Sequence, residues 1–251
     1  MKSLSIFVST ALFGLAMPAC ATVTFVRATV STDVRGGIGS ESFGPSDFAT
    51  PSSLPVAPLT VSSDFSGTVG TASFAATGTA TVSFIDATRG TMSFLAGAAA
   101  LNRPGDPAVV ARSISNTRYI FSVDRSSKLS IDYMLDIVGD SPAAYILLAR
   151  LDFTGNSVAT LFNVADARNP GAHDFQLDAG SYSIRFGNNV RNAFSYADPG
   201  RDMDSIAGSL GFTIAAVPEP GSWAMMIVGF GTIGVSLRTA RRRGGARVVH
   251  A

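Results

Sequence analysis

The middle of this 251-residue chain predicts an all-β fold, an antiparallel β-sandwich or jelly roll. Two observations lead there. Apolar and polar residues alternate with period two, as half-buried strands require, and the alternating runs are short, regularly spaced and separated by Gly, Asp, Asn and Ser.

In chain order, the first run is Val23 to Val30, followed by Thr60 to Phe65, Gly67 to Phe74, Gly78 to Asp86 and Thr91 to Leu95, all rich in Thr, Ser and Phe. Tyr119, Phe121 and Val123 alternate next. Then Ile131, Tyr133, Leu135 and Ile137 share one face, with Asp132, Met134 and Asp136 on the other. Ala143 to Phe153 is apolar on both faces, through Tyr145, Leu147, Leu151 and Phe153 against Ile146 and Leu148, and reads as a central strand; helix is the alternative for this segment alone. Val158 to Val164, Asp174 to Leu177, Ser181 to Phe186 and Ser209 to Ile214 complete the set. Asp178, Ala179 and Gly180 form a turn before SYSIRF, in which Tyr182, Ile184 and Phe186 face one way and Ser183 and Arg185 the other. Residues 35–58 contain GGIGSES and TPSSLPVAPL, and this Gly, Ser and Pro content predicts a long loop or linker. A second loop, Asn102 to Pro107, divides two halves of the domain.

The two ends differ from the middle. Lys2, an apolar core from Leu4 to Met17 and then Pro18, Ala19, Cys20 and Ala21 have the layout of a secretory signal peptide over residues 1–21. Acylation at Cys20 is the alternative, which Met17, Pro18 and Ala19 suit poorly. The domain of residues 22–216 then has no cysteine and a single histidine, His173, so neither a disulfide framework nor a thiol nucleophile is available. With Val217 it carries 13 basic and 17 acidic residues, a balance of −4. That sign argues against a nucleic-acid partner, whose phosphates favour clustered basic residues.

Candidate sites within the domain are sparse. Asp198, Asp202 and Asp204 in YADPGRDMDS offer oxygen ligands in a flexible loop, which suits calcium as a weak metal candidate, although the spacing is not that of an EF-hand and Arg201 sits among them. His173 lies near Asp166 and Asp174, an arrangement that also reads as a polar loop histidine. Asp132 and Asp136 pair on one strand face, where solvent contact explains them more simply than the two flanking carboxyls of a glycosidase. Tyr182, Phe194 and Tyr196 are candidate sugar-stacking aromatics that core packing also explains. Thr79 and Thr81 share a face, but one such run is only a strand.

The tail has three physical parts. Pro218 and Pro220 bracket Glu219 and stop any helix or central strand. From Trp223 to Leu237 the chain is uncharged, a run of about 15 residues where a comfortable membrane span needs roughly 20. With Ser222 and Arg238 it reads as a short transmembrane helix over 222–238, Trp223 at the outer interface and the arginines on the cytoplasmic side. Gly229, Gly231 and Gly234 spell GxGxxG, but no strand precedes them and no acidic residue follows, so small residues for helix packing in lipid are the better reading.

The sequence PEPGSWAMMIVGFGTIG followed by SLRTARRR resembles the PEP-CTERM sorting signal of Gram-negative bacteria, in the variant PEPxxWAMMIxGFGxxG followed by arginines. Residues 217–243 carry the resemblance, through Pro218, Glu219, Pro220, Trp223, Arg241, Arg242 and Arg243, and residues 244–251 extend beyond it. The resemblance implies an exosortase substrate: a precursor held in the inner membrane with its domain in the periplasm, cut near the Pro-Glu-Pro and passed to the cell surface or medium. An ordinary unprocessed anchor is the alternative. PEP-CTERM proteins accompany exopolysaccharide production, so the resemblance implies a non-catalytic surface or biofilm-matrix protein with extracellular polysaccharide as a partner, besides exosortase and the secretion machinery. The competing class is an exported glycan hydrolase using two carboxylates.

Overall fold

The computed structural model describes residues 21–39, 43–139, 143–194, 199–217 and 227–238. Ala21–Val217 is one compact unit, and the chain from Pro218 onward belongs to another. Its strands are β1 Val23–Ile38, β2 Ser46–Ala49, β3 Leu59–Val69, β4 Ala72–Asp86, β5 Arg89–Asn102, β6 Val109–Val123, β7 Ser127–Val138, β8 Ala143–Leu151, β9 Ser157–Ala167, β10 Gly171–Leu177, β11 Gly180–Phe194 and β12 Gly200–Ala216. They form two six-stranded sheets, β2-β1-β6-β11-β8-β9 (sheet A) and β10-β7-β12-β5-β4-β3 (sheet B). All pairings are antiparallel. The chain crosses between sheets at β2–β3, β5–β6, β6–β7, β7–β8, β9–β10, β10–β11 and β11–β12. The all-β reading therefore holds, and the loop after Asn102 is the crossing that joins β5 to β6.

The strands are longer than the sequence predicts, because several glycines that read as breaks lie inside them. Gly67 is paired with Phe74, Gly208 with Phe94, Gly90 with Phe212 and Gly171 with Tyr133. In each pair the aromatic ring lies where the glycine's Cβ would stand; at Gly208 a Cβ would come within 2.7 Å of the Phe94 ring. A ring laid over a cross-strand glycine restores the contact that the missing side chain forfeits. The break between Phe65 and Gly67 accordingly disappears into β3. The true hairpin is Gly70-Thr71, between the paired Val69 and Ala72, with Gly70 at φ 65°. Positive φ at the first central residue matches the strand twist of a two-residue turn.

Two further expectations need correction. β1 continues through Arg35 to Ile38, and β2 pairs with it from Ser46 to Ala49, so the loop expected over 35–58 is interrupted by strand at both places. Val34 and Gly36 also bond backbone to backbone with Pro45 and Phe43. Gly36 and Gly37 stay in the strand because the Phe74 ring covers Gly36. β8 ends at Leu151 rather than Phe153: Asp152 turns the chain by accepting bonds from Thr154 and Asn156 N–H, each at 2.9 Å, leaving Phe153 fully exposed. β8 is an interior strand, one place from the edge.

Between the sheets the core has two characters, both visible along β6, where every odd-numbered residue from Val109 to Val123 is buried. At one end Tyr119, Phe121, Tyr182, Phe84 and Phe212 pack ring to ring. At the other, Ser113 and Ser115 hydroxyls donate to the backbone carbonyls of Thr77 and Leu95 in sheet B, and Asn192 Nδ2 donates to Ala98 O at 2.7 Å. Facing them are Gly78, Ala96 and Ala98, whose small size lets the sheets approach closely enough for such bonds. The carbonyls accept on their second lone pair.

In the C-terminal part, residues 227–238 form a helix with most side chains exposed. Among the described residues no helix is long and apolar enough to cross a membrane. The signal peptide at 1–21 and the first part of the expected span at 222–226 lie outside the described residues, apart from Ala21.

Tyr119 is fully buried and its hydroxyl donates to Ala87 O at 2.7 Å. Tyr119→Phe keeps the ring but strips that acceptor, and is expected to cost about 1–2 kcal/mol, read from urea unfolding. In the same turn, Asp86 accepts from the Thr88 hydroxyl, from Arg89 Nη2 at 2.9 Å and from Thr88 N–H at 2.7 Å, which hold its carboxyl down to about 2. A depressed folded-state pKa stabilises fully above the unfolded value near 3.8 and is lost as pH falls toward 2. The stability gap between the wild type and Asp86→Asn should therefore be constant down to about pH 5 and shrink toward pH 2.5, measured as urea midpoints.

Candidate functional site

Because the odd-numbered side chains of β6 are buried, the even-numbered ones stand on the solvent face of sheet A. Cross-strand register then assembles rows from several strands. One row runs Phe48 (β2), Ser31 (β1), Asn116 (β6), Gly187 (β11) and Tyr145 (β8). The next runs Thr29, Arg118, Arg185 and Leu147. Between these rows lies a shallow groove of about 260 Å³ lined by Thr29, Ser31, Asn116, Thr117, Arg118, Tyr145 and Arg185.

Gly187 forms the floor of the first row. A Cβ there would collide with Asn116 Oδ1 and come within 2.6 Å of Ser115 O. Without one, the Tyr145 hydroxyl reaches across β11 and donates to Asn116 Oδ1 at 2.6 Å. Burial pushes the Tyr145 phenol up, against the pull of Arg185, so it remains a donor at any ordinary pH. Phe48, 73% exposed, offers an apolar face at the β2 end of the row.

Arg118 and Arg185 are direct cross-strand neighbours. Like charges so placed destabilise a sheet. Burial, then the charges of Arg185 and Arg27, push the Arg118 guanidinium below its ordinary value. Neither Arg118 Nε nor Arg185 Nε, both buried, finds a protein acceptor, and the described lining of the groove holds no carboxylate. Hydroxyls, an amide, an exposed ring and two guanidinium groups suit an oxygen-rich ligand with acidic groups.

The residues singled out in the sequence fall elsewhere. Pro218, Glu219, Pro220, Trp223, Arg241, Arg242, Arg243, Asp198 and Tyr196 lie outside the described residues, as does the side chain of Phe194. Asp202 and Asp204 are on strand β12, not in a flexible loop, because Asp204 begins the inward-facing series Asp204, Ile206, Gly208 and Leu210. Asp204 is buried, while Asp202 is exposed and accepts from Met203 N–H at 2.8 Å. Among the described residues no three His, Cys, Asp or Glu side chains are grouped to hold a metal.

His173 is on β10, not in a polar loop. Its ring is 4.4 Å from Phe162 and 6.1 Å from Tyr133, in a half-buried aromatic group where the edges of the two sheets meet. Asp174, next in the strand, points to the other face and pairs with Lys128 at 2.8 Å, and Asp166 pairs with Arg168 at 3.4 Å. Alternation thus separates the imidazole from the carboxylate that sequence proximity suggested. Asp132 is exposed on the solvent face of β7 with Asp136. Tyr182 is core, packed on Phe121, with its hydroxyl donating to Asp178 O at 2.8 Å. Phe48, Asn116, Arg118 and Tyr145 were not visible as a site. The available signal was the even-numbered series Arg112, Asn116 and Arg118 within one alternating run.

Comparison with known families matches residues 216–243 to the PEP-CTERM protein-sorting motif. That motif implies export to the cell surface and processing by exosortase. Comparison with curated proteins finds no match. Among solved structures, the enzymatically active domain of bacteriophage CBA120 tailspike protein 4 aligns over 63% of this chain and 19% of its own, at 12% identity and a TM-score of 0.26. The GH31 alpha-xylosidase of Xanthomonas citri aligns over 68% of this chain and 30% of its own, at 10% identity and a TM-score of 0.17. The chain thus spans less than a third of either structure, and neither likeness bears on its function.

Gly187→Ala should force Asn116 aside, break the Tyr145–Asn116 bond and cost about 1–3 kcal/mol. Tyr145→Phe loses the same bond without the steric clash and should cost about 1 kcal/mol. Urea unfolding of both variants compares the two effects.

Proposed function

We propose that this chain is an exported, non-catalytic surface or matrix protein whose β-sandwich binds extracellular polysaccharide through the solvent face of sheet A. The observation that carries the reading is the position of the sorting motif. Residues 216–243 match it, and β12 ends at Ala216. The backbone bond from Val217 N–H to Ser126 O, 3.3 Å, follows the β12–β7 ladder. Pro218 comes next and has no amide to donate. Removal of the tail near the Pro-Glu-Pro therefore leaves every strand of the sandwich whole. The motif supplies an address, and the sandwich supplies what is delivered.

The groove supports the binding half of the proposal. Its lining consists of groups that bond hydroxyls and acidic oxygens, and Phe48 adds an apolar surface at the rim of the kind that meets the C–H face of a sugar ring. A hydrolase of the usual kind would present two carboxyls across the scissile bond. The carboxylates on sheet B, Asp132 and Asp136, stand on an open strand face and do not line the groove.

Fractionation of the host, with intact mass of the protein in each fraction, tests the address. The expected wild type is found at the surface or in the medium, shorter by the residues after the Pro-Glu-Pro. A Pro218→Ala, Pro220→Ala double variant is expected to accumulate at full tail length in the inner membrane. A wild-type protein that keeps its tail and stays in that membrane would return the reading to an ordinary anchor.

A further inference from the structure

The groove is one end of a larger charged pattern. Continuing along β6, the row six residues before Arg118 is Arg35 (β1), Arg112 (β6) and Arg191 (β11), again in direct cross-strand register. With Arg27, Arg118 and Arg185, this places six arginines on the solvent face of the three strands β1, β6 and β11. The one described acid on that face is Asp33, bound to Arg35 at 3.0 Å. Arg112 Nε donates to Asn189 Oδ1 at 3.2 Å. Among the described residues, Arg27, Arg112, Arg118, Arg185 and Arg191 form no ion pair with a carboxylate. A domain with an acidic balance has thus gathered six of its thirteen basic residues on one sheet face, five of them in two rows, and left the acids largely elsewhere.

At about 3.3 Å per residue the two rows are roughly 20 Å apart. Between them lie uncharged residues, Asn189, Ile114, Asn116, Ser31 and Gly187, and the single acid Asp33. The polar residues between the rows discriminate between polyanions. An oligodeoxynucleotide brings phosphates to the arginines but almost no hydroxyls to the amides and hydroxyls between them. A carboxylate-bearing polysaccharide can place acid groups at the arginine rows and sugar hydroxyls on the amides and hydroxyls between. Arginine suits this because its planar fork accepts a carboxylate in a bidentate manner.

We infer that the solvent face of sheet A is a track for an acidic, carboxylate-bearing polysaccharide. The chain runs along β6 and β11, with Arg118, Arg185 and Arg27 holding one acid group and Arg112 and Arg191 another. The inference rests on the polysaccharide-binding reading above and adds the chemical class and the direction of the ligand. Closure of the like-charge pairs on a shared carboxylate would also offset the repulsion built into each row.

The test uses the full-length chain in mild detergent with four probes: polygalacturonate, digalacturonate, neutral dextran and oligothymidylate. Two double variants are compared with the wild type, Arg118→Gln with Arg185→Gln and Arg112→Gln with Arg191→Gln. Since each change removes a like-charge pair from a surface row, melting temperatures should hold or rise. Polygalacturonate binding is expected to weaken with salt and to fall roughly 10- to 100-fold in either variant. Digalacturonate is too short to span the rows, so it should bind more weakly than polygalacturonate and lose less in either variant than polygalacturonate does. Wild-type binding of polygalacturonate by both variants, or tighter binding of oligothymidylate, would overturn the track. Dextran bound as well as polygalacturonate, and equally by all forms, would overturn it while leaving the polysaccharide reading intact. Binding to none of the sugars would remove both.

Discussion

The ring of Tyr119 stands where the two sheets are fastened together. Phe121 and Phe212 stack on it with ring centroids at 5.1 and 5.0 Å, Phe84 meets it edge-on at 4.9 Å, and Phe25 lies at 5.9 Å. These rings come from β6, β12, β4 and β1, so one side chain ties strands from both sheets. Its hydroxyl cannot be left bare in such a place, and it is satisfied by the turn between β4 and β5. Fixing Tyr119 fixes the phase of β6. Once that residue faces inward, Arg118, Asn116 and Arg112 must face solvent, and the pairing of β1 and β11 with β6 determines which residues stand beside them.

Core and surface are therefore two outcomes of one constraint. The inward side chains of β6 change along its length from aromatic to serine, and the sheets respond by packing around rings at one end and exchanging hydroxyl-to-carbonyl bonds at the other. On the outward side the same strand collects arginines without acidic partners. Such an arrangement costs stability in the isolated domain. Within the core, Ser113, Ser115 and Thr117 each donate to a backbone carbonyl, whereas Arg118 Nε and Arg185 Nε find no protein acceptor.

Much of the fold was legible in the sequence because burial imposes period two on residues that pack in a sheet. Ile131, Tyr133 and their neighbours face inward as their spacing predicts, and Asp132, Met134 and Asp136 face solvent. Strand lengths were less legible. A glycine in a sequence reads as a break, yet Gly67, Gly90, Gly171 and Gly208 each lie under an aromatic ring from a neighbouring strand, and for Gly90, Gly171 and Gly208 that ring is too distant in the chain for a local window to reveal. His173 was misread for a related reason: its neighbours Phe162 and Tyr133 come from other strands, while its sequence neighbour Asp174 faces away.

The sequence by itself determined the class of the fold, the balance of charge and the sorting motif after Val217, since alternation, composition and a contiguous motif are properties of the chain read in order. Only the tertiary structure decided where the charge goes and which residues meet. Arg35, Arg112 and Arg191, or Phe48, Ser31, Asn116 and Tyr145, are scattered in the chain, and only the antiparallel register of five strands sets them in rows. Register depends on which rings fill which gaps between two sheets, and that is a property of the packed whole.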